Sequence, residues 1–321
     1  QAGTITETYF LGLGDGIFDL KGVDYVTIDG IDLTDPTNAT TATRMQHGYG
    51  LFKLNSTVPL NGCQNNTIKN CTITLSANTA TGTPTTVGIY MDNRFSGTAG
   101  SLALNSAASD ANSYNRFYSN TIQKVGVGIF ARGFYNASSL ANFDTNNDFG
   151  GSSLATGNTI RSYAGGQSAG ISGGIIVFNQ VAANISYNTL NNLNGGALST
   201  TGPTGGTMHH IYSANSTTLT STALPTTTTA IRTLSSGGTF VYNTITSTTG
   251  NGAGSTVPVN CIYVYYLGGS FNISNNSITF ASNNGAAANG SAMYGIYNYF
   301  TGDGGAGSFN YVKNNSITGT F

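Results

Sequence analysis

Charge is scarce in this chain. Asp, Glu, Lys and Arg make up 7% of its 321 residues, against roughly a quarter in an average soluble protein. Eleven Lys and Arg against twelve acidic residues leave a formal net charge of −1. That balance offers no field for tracking phosphates, so nucleic-acid binding is not expected. Tryptophan is absent, which removes the Trp-Asp mark of a WD40-type propeller. No apolar run approaches the roughly 20 residues that cross a bilayer, and no membrane span is expected. No window keeps a helical period over three turns, which excludes helical repeats. Glu7 is the only glutamate, and the Asp residues fall mostly in the first 35 positions or singly in loops. The opening Gln1-Ala2-Gly3-Thr4 carries no signal-peptide pattern, as in a mature chain or an excised piece. Three cysteines, Cys63, Cys71 and Cys261, cannot all pair internally and read as small buried thiols.

What the chain has instead is 44 Gly, 18 Tyr, 16 Phe and much Thr, Ser and Asn, arranged in repeats. One motif is an apolar residue, a polar residue three places on, and an aliphatic two further. Its copies are Val26-Asp29-Ile31, Ile68-Cys71-Ile73, Phe117-Asn120-Ile122, Ala155-Asn158-Ile160, Ile185-Asn188-Leu190, Phe240-Asn243-Ile245, Ile273-Asn276-Ile278 and Val312-Asn315-Ile317. A second motif, a small residue and two apolar ones, falls once in each gap. Its copies are Gly50-Leu51-Phe52, Gly88-Ile89-Tyr90, Gly128-Ile129-Phe130, Gly174-Ile175-Ile176, His210-Ile211-Tyr212, Cys261-Ile262-Tyr263 and Gly295-Ile296-Tyr297.

The mean step of about 41 residues lies in the range of stacked repeats. Steps vary from 30 (Asn158 to Asn188) to 55 (Asn188 to Asn243), as a fixed core with loop insertions allows. Both motifs enrich Ile, Val, Tyr and Phe and are bounded by Gly, Asn and Ser, which are strand signals. The expected fold is an all-β, right-handed parallel β-helix of about seven to eight coils. It forms one domain over 1–321, part of a longer chain or of an end-to-end assembly. Stacked at roughly 4.8 Å per coil, it gives a rod about 35 Å long. The polar motif position, Asp29, Cys71, Asn120, Asn158, Asn188, Asn243, Asn276 and Asn315, is expected at a corner. There an Asn amide can donate to and accept from its neighbour one coil away; a plain Asn turn is the alternative. Residues one and three places after it, Thr72/Thr74 through Ser316/Thr318, should face outward as a hydroxyl strip, with ice binding a minor alternative.

The segment Gly22-Val23-Asp24-Tyr25-Val26-Thr27-Ile28-Asp29-Gly30-Ile31-Asp32-Leu33-Thr34 resembles the openings of large secreted bacterial β-helix proteins of the pectate-lyase-like superfamily. The stretches Asn65 to Ile73 and Phe271 to Ile278 resemble that family's coils, in the style of Bacteroidetes surface proteins. The resemblance implies the fold and an extracellular, bacterial location. The superfamily's polysaccharide lyases and glycoside hydrolases carry sets of charged residues that do not map onto this chain residue by residue.

The best local concentration of chemistry is Asp92 and Arg94 with Arg132, which equivalent coil positions bring together. These are the candidates for an acidic-sugar site, or else an ion pair between coils. Asp144, Asn146 and Asp148 space three oxygens as calcium loops do, but the Gly comes one place late and no bidentate Glu follows. Calcium is therefore the one cofactor considered, against a loop of Asx turns. His209 and His210, being adjacent, should point to opposite sides of a strand. Tyr263, Tyr265, Tyr297 and Tyr299 are candidates for a glycan-stacking platform, or for core lining. The expected function is a non-enzymatic structural or adhesive module of a stalk, filament or adhesin. Its expected partners are polysaccharide or cell-surface glycan, with self-association through the β-helix ends. A carbohydrate-active lyase or hydrolase is the alternative.

Overall fold

The computed structural model describes residues 15–35, 45–75, 86–95, 105–134, 141–163, 172–192, 208–214, 238–248, 259–265, 269–281, 293–299 and 310–319. They form a parallel β-helix solenoid with three faces. The first face is an eight-stranded sheet in chain order: Gly16–Lys21, His47–Lys53, Val87–Phe95, Val127–Arg132, Ser172–Phe178, Met208–Ala214, Val259–Tyr265 and Met293–Tyr299. The third is also eight-stranded, from Leu33–Thr34 and Thr72–Thr74 through Thr121–Val125, Thr159–Tyr163, Thr189–Asn191, Thr244–Thr248 and Ser277–Ala281 to Ser316–Gly319. Between them in each coil lies the second face. It comprises Thr27–Asp29, Thr67–Lys69 and Arg116–Tyr118, then Ala183–Ser186, Gly238–Val241, Phe271–Ser274 and Asn310–Lys313. Single bridges from Arg116 through Asp148 to Asn184 join its two parts.

Each strand hydrogen-bonds to its equivalent one coil away, so like stacks on like. Ile89, Ile129, Ile175, Ile211 and Ile262 form one inward column on the first face. Ile73, Ile122, Ile160, Leu190, Ile245 and Ile278 form another on the third, and all are fully buried. Where the second motif carries Gly, as at Gly88 and Gly128, the first and third faces meet too closely for a side chain. A Cβ on Gly88 would lie 2.4 Å from Ile122 Cγ2, and one on Gly128 2.5 Å from Ile160 Cγ2.

The corners are built alike. At the corner between the second and third faces, Asn70, Ser119, Tyr187, Tyr242, Asn275 and Asn314 adopt the left-handed conformation, and the next residue occupies a ladder. From Asn120 to Asn276, each Oδ1 accepts from a backbone N–H and, where the preceding residue is Asn, also from its Nδ2. Each Nδ2 from Asn120 to Asn315 also donates to a second-face carbonyl one coil back, at 2.7–2.9 Å. The corner between the first and second faces repeats the device. Tyr25, Asn65, Tyr114 and Asn146 are left-handed, and Asn66, Asn115 and Asn147 follow them as a second ladder ending on Gln180.

Three motif copies are read differently in the structure. Strand register aligns Ile28 with Ile68 and Leu33 with Ile73, so Ile31, not Asp29, stands at the ladder position. Asp29 is instead exposed, beside Lys69 at 3.1 Å. A shift of two residues preserves facing, which is why the sequence fits both registers. Ala155 is exposed; Phe149 takes its inward place, stacked on Phe117 at 5.6 Å, and residues 151–156 are an insertion between it and Asn158. On the first face Tyr49, not Leu51, aligns with Ile89.

Candidate functional site

Asp92, Arg94 and Arg132 are brought together where the first face ends. Arg132 binds Asp92 through Nε to Oδ1 at 2.9 Å and Nη2 to Oδ2 at 2.6 Å, and Arg94 Nε lies 3.3 Å from Asp92 Oδ2. Tyr90 donates its hydroxyl to the same carboxylate. Arg94 lies over the Tyr90 and Phe52 rings and Arg132 over Phe130. All three charged side chains are buried. Nearby, Lys53 is also buried and donates to the Asp110 carbonyl; burial lowers the pKa of its ammonium against the attraction of Asp144, Asp110 and Asp92. Burial likewise pushes the Asp144 carboxyl up to about 6, although Lys53 and the Asn112 N–H oppose it. Asp92, Arg94 and Arg132 are thus buried and paired with one another.

The oxygens of Asp144, Asn146 and Asp148 do not share a centre. Asp144 is held by Asn112 and Gln180, Asn146 turns the corner in the left-handed conformation, and Asp148 accepts from Asn184 at 2.9 Å. Among the described residues, no three His, Cys, Asp or Glu side chains gather as a metal site would need.

Of the four tyrosines expected to form a platform, Tyr263 and Tyr265 are buried and Tyr297 is half-buried. Tyr263 is 8% exposed and Tyr265 1%, because the outer side of the first face is itself a packed layer. Tyr212, Tyr263 and Tyr297 stack there at 4.8 and 5.0 Å. The side chain of Tyr299 lies outside the described residues. His209 joins this outer stack, 4.4 Å from Tyr212, whereas His210 turns inward to hydrogen-bond Tyr163. Burial lowers both imidazoles to about 3, so each stays neutral.

Among the described residues, an open cleft lies at the corner between the first and second faces. Tyr25, Asn65, Thr67, Tyr114, Arg116 and Asn146 line a cleft of about 420 Å³. Tyr25 is 79% exposed and Tyr114 47%. The left-handed backbone of Tyr25 and Tyr114 is the geometry of the corner itself, which Tyr187 and Tyr242 share at the other corner. The corner backbone is already satisfied: the N–H groups of Tyr25, Asn65, Tyr114 and Asn146 each bond to the next coil at 2.9–3.1 Å. Asp148, in register with Arg116 one coil on, has its carboxyl pushed up to about 6 by burial, against the Asn184 hydrogen bond and the Arg116 charge. The repeat reading missed Tyr25 and Tyr114. The signal was present in Tyr114-Asn115, which has the same form as Asn65-Asn66 and Asn146-Asn147.

No protein-family model, curated protein or solved structure matches this chain.

Proposed function

We propose that this chain is a non-enzymatic β-helical module of a stalk, filament or adhesin that works outside a bacterial cell and contacts glycans through its open corners. One observation carries the reading. The Asp92–Arg94–Arg132 group, the best candidate for acid–base chemistry in the sequence, is buried and internally paired, a state suited to holding coils together. A catalytic acid or base must reach the proton it moves. The corners instead present amides, hydroxyls and tyrosine rings. The likeness of the repeats to secreted Bacteroidetes-style proteins of the pectate-lyase-like superfamily supports the location.

The test is to incubate the purified chain, with calcium, against acidic and neutral polysaccharides and follow product size by chromatography. Intact polymers are expected throughout. Shortened products would overturn the reading in favour of a lyase or hydrolase.

A further inference from the structure

We propose that the cleft between Tyr25 and Tyr114 is a binding subsite for an uncharged sugar ring, an inference that rests on the glycan-contact reading above. Four observations select this ligand class. First, the two rings that flank Asn65 stand two coils apart in one corner column, on left-handed residues where neighbouring coils place Asn. Tyr25 is held so that most of its side chain faces solvent, so core packing does not explain the choice of an aromatic there. A tyrosine ring offers an apolar face to sugar C–H groups and a hydroxyl at its edge.

Second, the remaining lining is Asn65, Asn146, Thr67 and Arg116. Amide and guanidinium groups present paired donors suited to adjacent hydroxyls.

Third, the corner backbone N–H groups are already bonded between coils, so an extended peptide finds no ladder to join, as strand addition requires. Recognition has to run through side chains.

Fourth, the charges are balanced toward a neutral guest. Arg116 is the single cation of the lining, and it stands in register with Asp148. Asp24, whose Oδ1 accepts from the Gln64 N–H at 2.8 Å, precedes Tyr25. Neither Asp24 nor Asp148 lines the cleft, but each adjoins a lining residue, in sequence or in register, and their charges offset that of the Arg116 guanidinium. The volume, about 420 Å³, falls at the small end of ligand sites.

The experiment is calorimetric titration of the whole chain with maltotetraose, cellotetraose, mannotetraose and trigalacturonate. Each mixture is then run by chromatography for product size. Variants Tyr25→Asn and Tyr114→Asn remove one ring each while installing the residue that Asn65 and Asn146 already place in this column. We expect at least one neutral tetrasaccharide to bind, either variant to weaken it tenfold or more, and trigalacturonate to bind more weakly than that neutral sugar. As a readout without mutation, the bound neutral sugar should slow nitration of Tyr25 and Tyr114 by tetranitromethane. Failure of every neutral sugar to bind at millimolar concentration would overturn the proposal, as would tighter binding of trigalacturonate. So would retained affinity in both folded variants, or unchanged nitration of both rings. These failures leave the non-enzymatic reading standing; that reading falls if the oligosaccharides, or the polysaccharides above, are shortened.

Discussion

Arg132 reaches across one coil to grip both oxygens of Asp92, at 2.9 and 2.6 Å, and neither side chain touches solvent. Asp92 also faces Arg94 and the Tyr90 hydroxyl, so it is the centre of the group and Arg132 is one arm. Asp92→Ala should therefore destabilise the fold by about 3–5 kcal/mol, the range for stranding buried charge. Arg132→Met should cost less, because Asp92 keeps Arg94. Urea unfolding of the two variants reads the difference, and equal losses would contradict this arrangement.

The Asn ladder should be a major local support. In Asn188 the Oδ1 accepts from Asn158, and Nδ2 donates to the Phe149 carbonyl at 2.7 Å and to Asn243. Asn188→Ala strands a buried N–H and a buried carbonyl, each worth about 1–3 kcal/mol. A loss of about 2–4 kcal/mol in chemical denaturation is expected, and hydrogen exchange should quicken first at Asn158.

Gly128→Ala tests the close approach of the first and third faces. The added methyl would lie 2.5 Å from both the Gly174 carbonyl and Ile160 Cγ2. Overpacking of this kind costs about 1–3 kcal/mol, seen as a lower Tm. Because Cys261 occupies the same column two coils beyond Gly174, Cys261→Ala should be milder.

Asp144 makes a prediction about pH. Burial holds its carboxyl at about 6, above its ordinary 3.8. The unfolded chain thus releases this proton first, and the contribution to stability, complete below the ordinary value, is lost as pH rises from about 4 to about 6. Subtracting the stability of Asp144→Asn from that of the wild type across pH 3.5 to 7 should give a curve that falls through that window. A flat or rising difference would contradict the environment described for Asp144.

The architecture was legible because each coil repeats the same inward aliphatics and the same corner Asn, from Asn120 to Asn315. Registers were legible only where nothing competed. Val26-Asp29-Ile31 and Ile28-Ile31-Leu33 satisfy one pattern equally, and only pairing of Ile28 with Ile68 separates them. Phe149 was hidden by an insertion that parts it from Asn158.

By itself the sequence determined a parallel β-helix, because period, strand signals and the absence of helical patterning leave few other ways to bury these side chains. It also brought Asp92 and Arg132 to neighbouring positions. Tertiary structure alone decided which surfaces stay open. A strand residue's outward direction is local, but whether anything covers it is not. That is why Tyr263 lies in a packed outer layer while Tyr25 and Tyr114, at a corner whose backbone is already bonded, stand in solvent.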